Sequence, residues 1–221
     1  MHVGRPTERY DPLRERAFVT GFWKERVDGP RWLSKLNLDG DGQADLVHHG
    51  GVDKALLAYS AEHYPHWREE LGLPEVDHGG WGENVTVEGL DEELVCIGDT
   101  WQIGEAVVQV SQARRPCWKL EARWERRGLM DLTQGSGRTG WYHRVLTEGF
   151  VGPGDRLVLV DRPHPEWTVR RAGAVMADRD APLRELAALA SLREVARSWL
   201  LVLHERLRGR PEDVRARTRG T

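Results

Sequence analysis

Between Trp81 and Val110 the chain is cut by glycines at short intervals. Gly82, Gly89, Gly98 and Gly104 punctuate four runs of apolar or β-branched residues, Asn84–Val87, Leu94–Ile97, Thr100–Ile103 and Ala106–Val110. Short runs at spacings of 6–10 residues with turn glycines between them predict a meander or barrel of β-strands. Arg156–Val160 reads as a further strand, entered through Gly152-Pro153-Gly154-Asp155. Ser60–Leu71 reads as a helix with Pro65 restricting its first turn, and Pro116–Arg127 as a helix stopped by Gly128.

After Asp161 the texture changes. Arg162-Pro163-His164-Pro165 has the composition of a linker. Beyond it Leu183, Leu186, Leu189, Leu192, Val195, Trp199, Val202 and Leu203 recur at three- and four-residue steps, which is helical periodicity. The expected organisation is a β-barrel domain over residues 1–162 and a small helical domain over 163–221. Two or three short helices are expected there, with a tail fraying after Arg210-Pro211.

A chain of 221 residues with ten Trp can bury a real core without staples. No apolar run approaches the ~20 residues of a membrane span. The first residues, MHVGRPTERYDPLRER, lack the apolar core of a secretory leader. Only Cys96 and Cys117 occur, so a disulfide framework is excluded and a cytoplasmic, reducing setting is expected. Residues 1–161 carry 19 Lys and Arg against 27 Asp and Glu, while 162–221 carry 13 against 8. An acidic body argues against a general nucleic-acid binder.

The segment Val107–Leu120 is the most informative. It reads as a strand, a polar turn, and a helix opened by Pro116 at its first position, which places Cys117 in the first turn. A helix N-terminus, with Arg114, Arg115 and Lys119 close in sequence, favours the thiolate, which is both nucleophile and soft-metal ligand. Cys96, inside an apolar run, reads as an ordinary core thiol. Three glycine-rich clusters suit anions. In His48-His49-Gly50-Gly51, with Lys54 nearby, backbone N–H groups can approach closely. Gly79-Gly80-Trp81-Gly82-Glu83-Asn84 offers an acceptor and an amide. Ser136–Arg144 joins two glycines to two arginines. Each could equally be a plain surface turn. Arg123, Arg126 and Arg127 fall off the apolar face of their helix and read as solvated. Asp39-Gly40-Asp41-Gly42-Gln43-Ala44-Asp45 imitates a calcium loop but has Ala44 where glycine belongs and Gly50 where glutamate belongs. There is no H-E-x-x-H, paired C-x-x-C, G-x-S-x-G or P-loop.

Taken in order, several segments resemble the MOSC (molybdenum cofactor sulfurase C-terminal) domain family, and within it the YiiM-type bacterial proteins. These are Gly40–Asp45, His49-Gly50-Gly51-x-Asp53-Lys54-Ala55, Tyr59, Glu62-His63-Tyr64, Trp67, Gly82-Glu83-Asn84, Ile97-Gly98-Asp99, Gln112-x-Arg114-x-Pro116-Cys117-x-Lys119-Leu120 and Ser136-Gly137-Arg138-x-Gly140-Trp141-Tyr142-x-Arg144-Val145. The match is strong over about residues 35–160. Ala113 replaces the proline the family usually carries there, which leaves Arg114 and Cys117 in place. The resemblance implies a mostly β fold with α, a MOSC β-barrel followed by a three-helix appendage. It implies molybdenum cofactor, a pterin dithiolene with a phosphate, and at family level an association with pyridoxal phosphate. It further implies reduction of N-hydroxylated compounds such as hydroxylaminopurine-type base analogues, with electrons from a separate reductase.

The expected roles follow. Cys117 is the metal ligand, and His49 assists proton transfer, histidine being the side chain that ordinarily titrates nearest neutrality. Lys54, Gly50, Gly51, Asn84, Gln112, Arg114, Arg138 and Arg144 hold the cofactor. A homodimer is compatible with the sequence, and neither membrane nor nucleic acid is expected as a partner. Two rivals stand beside this reading: a cofactor carrier or sulfur-transfer module without turnover, and DNA binding by the basic C-terminal helices, whose Leu stripe is more simply a packing face.

Overall fold

The computed structural model describes residues 1–219. The strands are β1 (His2–Val3), β2 (Thr7–Asp11), β3 (Arg16–Thr20), β4 (Glu25–Arg26), β5 (Arg31–Leu33), β6 (Leu56–Ser60), β7 (Val85–Val87), β8 (Thr100–Ile103), β9 (Ala106–Ala113), β10 (Trp141–Thr147), β11 (Gly149–Val151) and β12 (Leu157–Asp161). The helices are α1 (His63–Leu71), α2 (Lys119–Trp124), α3 (Leu129–Ser136), α4 (Val169–Ala177), α5 (Leu183–Ala190), α6 (Arg197–Leu207) and α7 (Arg215–Arg219), with a 3-10 turn at Val52–Lys54.

Six strands form one mixed sheet in the order β12-β8-β9-β10-β6-β7. All pairs are antiparallel except β6 with β7. Its end strands β12 and β7 do not pair with each other, so the expected barrel is a half-barrel. Two-stranded ladders β1-β4, β2-β3 and β5-β11 complete the β structure. Leu94–Ile97, expected as a strand, is a turn with a single bridge from Cys96 to Thr168.

The central pair explains how the sheet serves a site. Along β10 the buried Trp141, His143 and Val145 alternate with the half-buried Tyr142 and Arg144. On β9 the same alternation runs through Val108 and Val110 and then breaks. Tyr142 pairs with Gln112 but His143 pairs with Val110, so Ser111 is an extra residue. A bulge of this kind re-aims the side chains beyond it. Ala113 therefore joins the core, while Gln112 shares the face of its register partner Tyr142. Ser111 Oγ holds the bulge by donating to the Asp53 carbonyl at 2.6 Å and the Tyr142 carbonyl at 3.1 Å.

Two cores support this frame. In one, the sheet residues Leu56, Ala58, Val108, Val110 and Trp141 pack in a single cluster with Trp167, Val169, Met176, Leu189, Trp199 and Leu203 of the C-terminal half. The helices after β12 lay their apolar stripe on the sheet and share its core. The other core is aromatic: Trp81 stacks on Tyr59 at 5.7 Å and on Trp67 at 5.0 Å between centroids. Buried Glu83 ties it by accepting from the Tyr64 hydroxyl, from Gly79 N–H at 2.6 Å and from Trp81 N–H at 3.1 Å.

The tail after Pro211 includes α7, and Glu212 ahead of it forms a two-toothed ion pair with Arg115 at 2.6 and 2.8 Å. Its last two residues lie outside the described ones.

Sheet and helices sharing one core should unfold together. Trp199→Ala is expected to cost about 3–5 kcal/mol and to shift near- and far-ultraviolet circular dichroism transitions equally. Two separated transitions, with only the helical signal displaced, would show independent units.

Candidate active site

The site forms where β9 leaves the sheet, β10 enters it and β6 begins. Tyr142 is in register with both Gln112 and Leu57. From β9 the chain runs without regular structure through Arg114–Cys117 into α2, which starts at Lys119, later than the expected Pro116. Cys117 therefore lies before the helix rather than in its first turn, although the Lys119 N–H still donates to its Sγ.

Opposite, close backbone contact brings in the N-terminal strands. A Cβ on Gly21 would stand 2.1 Å from the Gly42 carbonyl oxygen and 2.7 Å from that of Gly4, so these crossings require glycine at position 21. Phe22 lies against Gly82, where a Cβ would meet its ring at 2.6 Å. The glycines of the calcium-like segment thus serve packing. Its Asp41 accepts from Gly4 N–H at 2.7 Å, from Asn84 Nδ2 at 2.9 Å and from the Lys24 ammonium.

At this junction lies a cavity that is partly open to solvent. Cys117, His49, Lys54, Asn84 and Arg114 line it together, as do Lys24, Asp41, Arg115, Lys119 and Tyr142. Cys117 is 3% exposed. Burial alone would push its thiol up, but His49, which hydrogen-bonds Sγ, together with Arg114 and the Lys119 N–H, outweighs burial and brings it down to about 6. The imidazole, more than the three neighbouring cations read from sequence, makes the thiolate. Arg115 is largely committed to Glu212. Burial pushes the Tyr142 phenol up to about 12, against the pull of Arg114. Burial lowers Lys24 against the opposing pull of Asp41.

Arg114 is 4% exposed, and its Nη1 has no hydrogen-bond partner among the described residues. A buried guanidinium N–H without an acceptor is costly, and this one lines a cavity. A second chamber adjoins the first and shares His49, Lys54, Arg115, Lys119 and Tyr142 with it. Gln112 lies in that outer chamber, where Ser198 donates to its Oε1 at 3.2 Å.

The remaining expected residues lie elsewhere. Arg138 contacts His66 at 2.8 Å and covers Trp67, outside both spaces. Arg144 pairs with Asp53 at 2.8 Å, and Asp53 in turn accepts from the Arg197 N–H at 2.8 Å, which caps α6. Gly50 and Gly51 line neither space; Gly51, at φ 96°, starts the 3-10 turn that carries Lys54. Asn84 spends its amide on structure, accepting from Leu57 N–H at 3.0 Å and donating to Asp41. Arg123, expected in solvent, lies over Phe22 and Trp23, and Arg126 donates to the Leu71 carbonyl at 2.7 Å. Lys24 was invisible to sequence reasoning, since a lone lysine in an unpatterned stretch carries no signal. Tyr142 had one, its place beside Arg144 in the matched segment.

In protein prepared without cofactor, the thiolate absorbance near 240 nm should rise through about pH 6. Replacing His49 by Gln removes the principal opposing charge, and the midpoint should climb toward the ordinary thiol range near ~8.5. An unchanged midpoint would show that His49 does not stabilise the thiolate.

A family model described as the MOSC domain matches residues 45–158. The uncharacterized protein YflK of Bacillus subtilis (strain 168) is 42% identical over 200 residues, 90% of this chain and 89% of its own length. A protein named Reductase from Gibberella moniliformis (strain M3125 / FGSC 7600) is 36% identical over 198 residues, which span 88% of this chain but 35% of that protein. The crystal structure of YiiM from Geobacillus stearothermophilus superposes with a TM-score of 0.78 at 33% identity, covering 94% of this chain and 96% of that one. The half-barrel, its cysteine-bearing exit loop and these matches have one common explanation: the chain belongs to the MOSC domain family.

Proposed function

We propose that this chain binds molybdenum cofactor through Cys117 and reduces N-hydroxylated compounds to amines. The observation that carries the reading is the pairing of a buried thiolate with the unpartnered Nη1 of Arg114 in one cavity. Thiolate is a soft donor suited to a metal–sulfur centre. Among the described residues no three His, Cys, Asp or Glu side chains cluster to hold a metal. A metal held here by one protein sulfur must bring its other donors with it, as a dithiolene does. The cofactor's phosphate is an anion, and Arg114, Lys54 and Lys119 line the cavity that would take it. Arg138 and Arg144, committed outside the cavity, are not assigned to it.

When bound, the cofactor supplies the two-electron chemistry. The protein contributes position and protons. The overall change, R–NH–OH + 2 e⁻ + 2 H⁺ → R–NH2 + H2O, needs a proton at the departing oxygen. His49, in contact with the sulfur, is the group placed to deliver it. Tyr142 keeps its proton at neutral pH and serves as a hydrogen-bond donor to the bound reactant. The Lys24–Asp41 ion pair, neutral overall, also lines the cavity. The name Reductase borne by the fungal relative supports a redox role. Electrons come from a separate reductase in this reading.

Protein freshly isolated from a molybdopterin-synthesising host should contain molybdenum near one per chain, and Cys117→Ala should lose it while keeping its fold. With an artificial electron donor, His49→Ala should keep molybdenum but reduce hydroxylaminopurine about 10²–10⁴-fold more slowly. Full molybdenum in Cys117→Ala would refute the ligand assignment. Molybdenum without turnover of any N-hydroxylated substrate would favour a cofactor carrier or sulfur-transfer module.

A further inference from the structure

The loop that carries Cys117 is held from outside the MOSC match. Arg114–Cys117 has no regular structure, and Pro116 has no N–H of its own. The Cys117 carbonyl accepts from the Leu120 N–H at 3.0 Å, but the carbonyl before the sulfur and the N–H after it find their partners about a hundred residues later, on one residue. Arg217 Nη1 donates to the Pro116 carbonyl at 3.1 Å, and the Trp118 N–H donates to the Arg217 carbonyl at 3.1 Å. One residue thus grips the chain immediately before and immediately after Cys117. Glu212 holds Arg115 two residues upstream, and the Arg219 carbonyl accepts from Arg16 Nη2 at 2.8 Å, tying the segment to β3. Glu212, Asp213 and Arg217 also line the outer chamber, beside His49, Lys54 and Tyr142 of the inner cavity.

We propose that residues 212–219 are a working part of the site. They clamp the peptide groups flanking Cys117 and wall the outer chamber by which small molecules reach the sulfur, with Arg217 as the positioning residue. The proposal needs Cys117 to be the reactive sulfur of the cavity but does not depend on which metal or cofactor it meets.

The test uses the full-length chain prepared without cofactor and two alkylating probes, iodoacetamide and a bulky fluorescein maleimide, with labelling of each cysteine followed by peptide mass spectrometry. Cys96, buried at the bridge to Thr168, is the internal reference for general loosening. In the intact chain Cys117 should react at least tenfold faster with the small probe than with the large one, after correction for their intrinsic reactivities. In Arg217→Ala that preference should fall several-fold while Cys96 labelling stays unchanged. Arg217→Lys, which keeps a donor for the Pro116 carbonyl, should recover part of it, and Glu212→Gln should lie between. A size preference within twofold of the intact chain in both Arg217→Ala and a chain ending at Arg210 would overturn the proposal. So would Cys96 and Cys117 rising together in every variant, since that describes a merely destabilised fold. A protein that passes this test and yet binds no molybdenum would leave the clamp standing and the proposed function refuted.

Discussion

A single extra residue in a strand decides which side of the sheet the site occupies. Side chains alternate across a strand, so without the bulge at Ser111 the core-facing sequence Val108, Val110 would continue to Gln112 and Arg114. A guanidinium and an amide would then enter the hydrocarbon core, and Ala113 would face the cavity. The bulge reverses the parity. Ala113 fills the core opposite Trp141, and Arg114 emerges toward Tyr142 and the cysteine loop. Ser111 secures this with its hydroxyl on two carbonyls, one of them that of Asp53. The same Asp53 holds Arg144 and the first turn of α6. Bulge, 3-10 turn and C-terminal helix are therefore one mechanical unit.

Much of the electrostatic design follows from that placement. A buried thiol ordinarily resists ionisation, because desolvation penalises the charged form. Here the loop from β9 brings Cys117 to His49 and Arg114, and an imidazole hydrogen bond reverses the penalty. The buried guanidinium of Arg114 has an N–H without an acceptor among the described residues, and under the proposed function an anionic ligand would offset the cost of burying that donor.

The sequence made the chemistry more legible than the architecture. Cys117, Arg114, Lys54 and His49, which line one cavity, stand out in the sequence because a charged, glycine-rich order of motifs is specific even when each part is weak. Strands such as β8 were legible because glycines bounded them on both sides. The extension of β9 past Val110 was not legible, since the bulge breaks alternation at the point where the pattern would be read. The polar β2 and β3, TERYD and RAFVT, lack alternation because they form a two-stranded ladder outside the main sheet. Arg138 and Arg144, expected at the cofactor, pair with His66 and Asp53, and an arginine among glycines looks the same whether it awaits a phosphate or latches two elements together. Only the partners, His66 and Asp53, distinguish the cases. Likewise Tyr59, Tyr64, Trp67 and Glu83 belong to the matched motifs yet build the aromatic core, so a shared motif marks shared packing as often as shared chemistry.

Net charge and local charge point in opposite directions here, and the local one decides what can bind. The first 161 residues are acidic overall, with 27 Asp and Glu against 19 Lys and Arg. Yet five of that region's 19 basic residues, Lys24, Lys54, Arg114, Arg115 and Lys119, line one cavity, with Asp41 the only carboxylate among its described lining residues. Low-dielectric walls strengthen such a field within the cavity, while salt screens it within about 10 Å outside. With Lys24 paired to Asp41 and Arg115 to Glu212, the cations left to face the cavity are Lys54, Arg114 and Lys119. Under the clamp proposed above, the returning tail, which lines the adjoining chamber through Glu212, Asp213 and Arg217, would narrow the approach to the sulfur and so add selection by size to selection by sign.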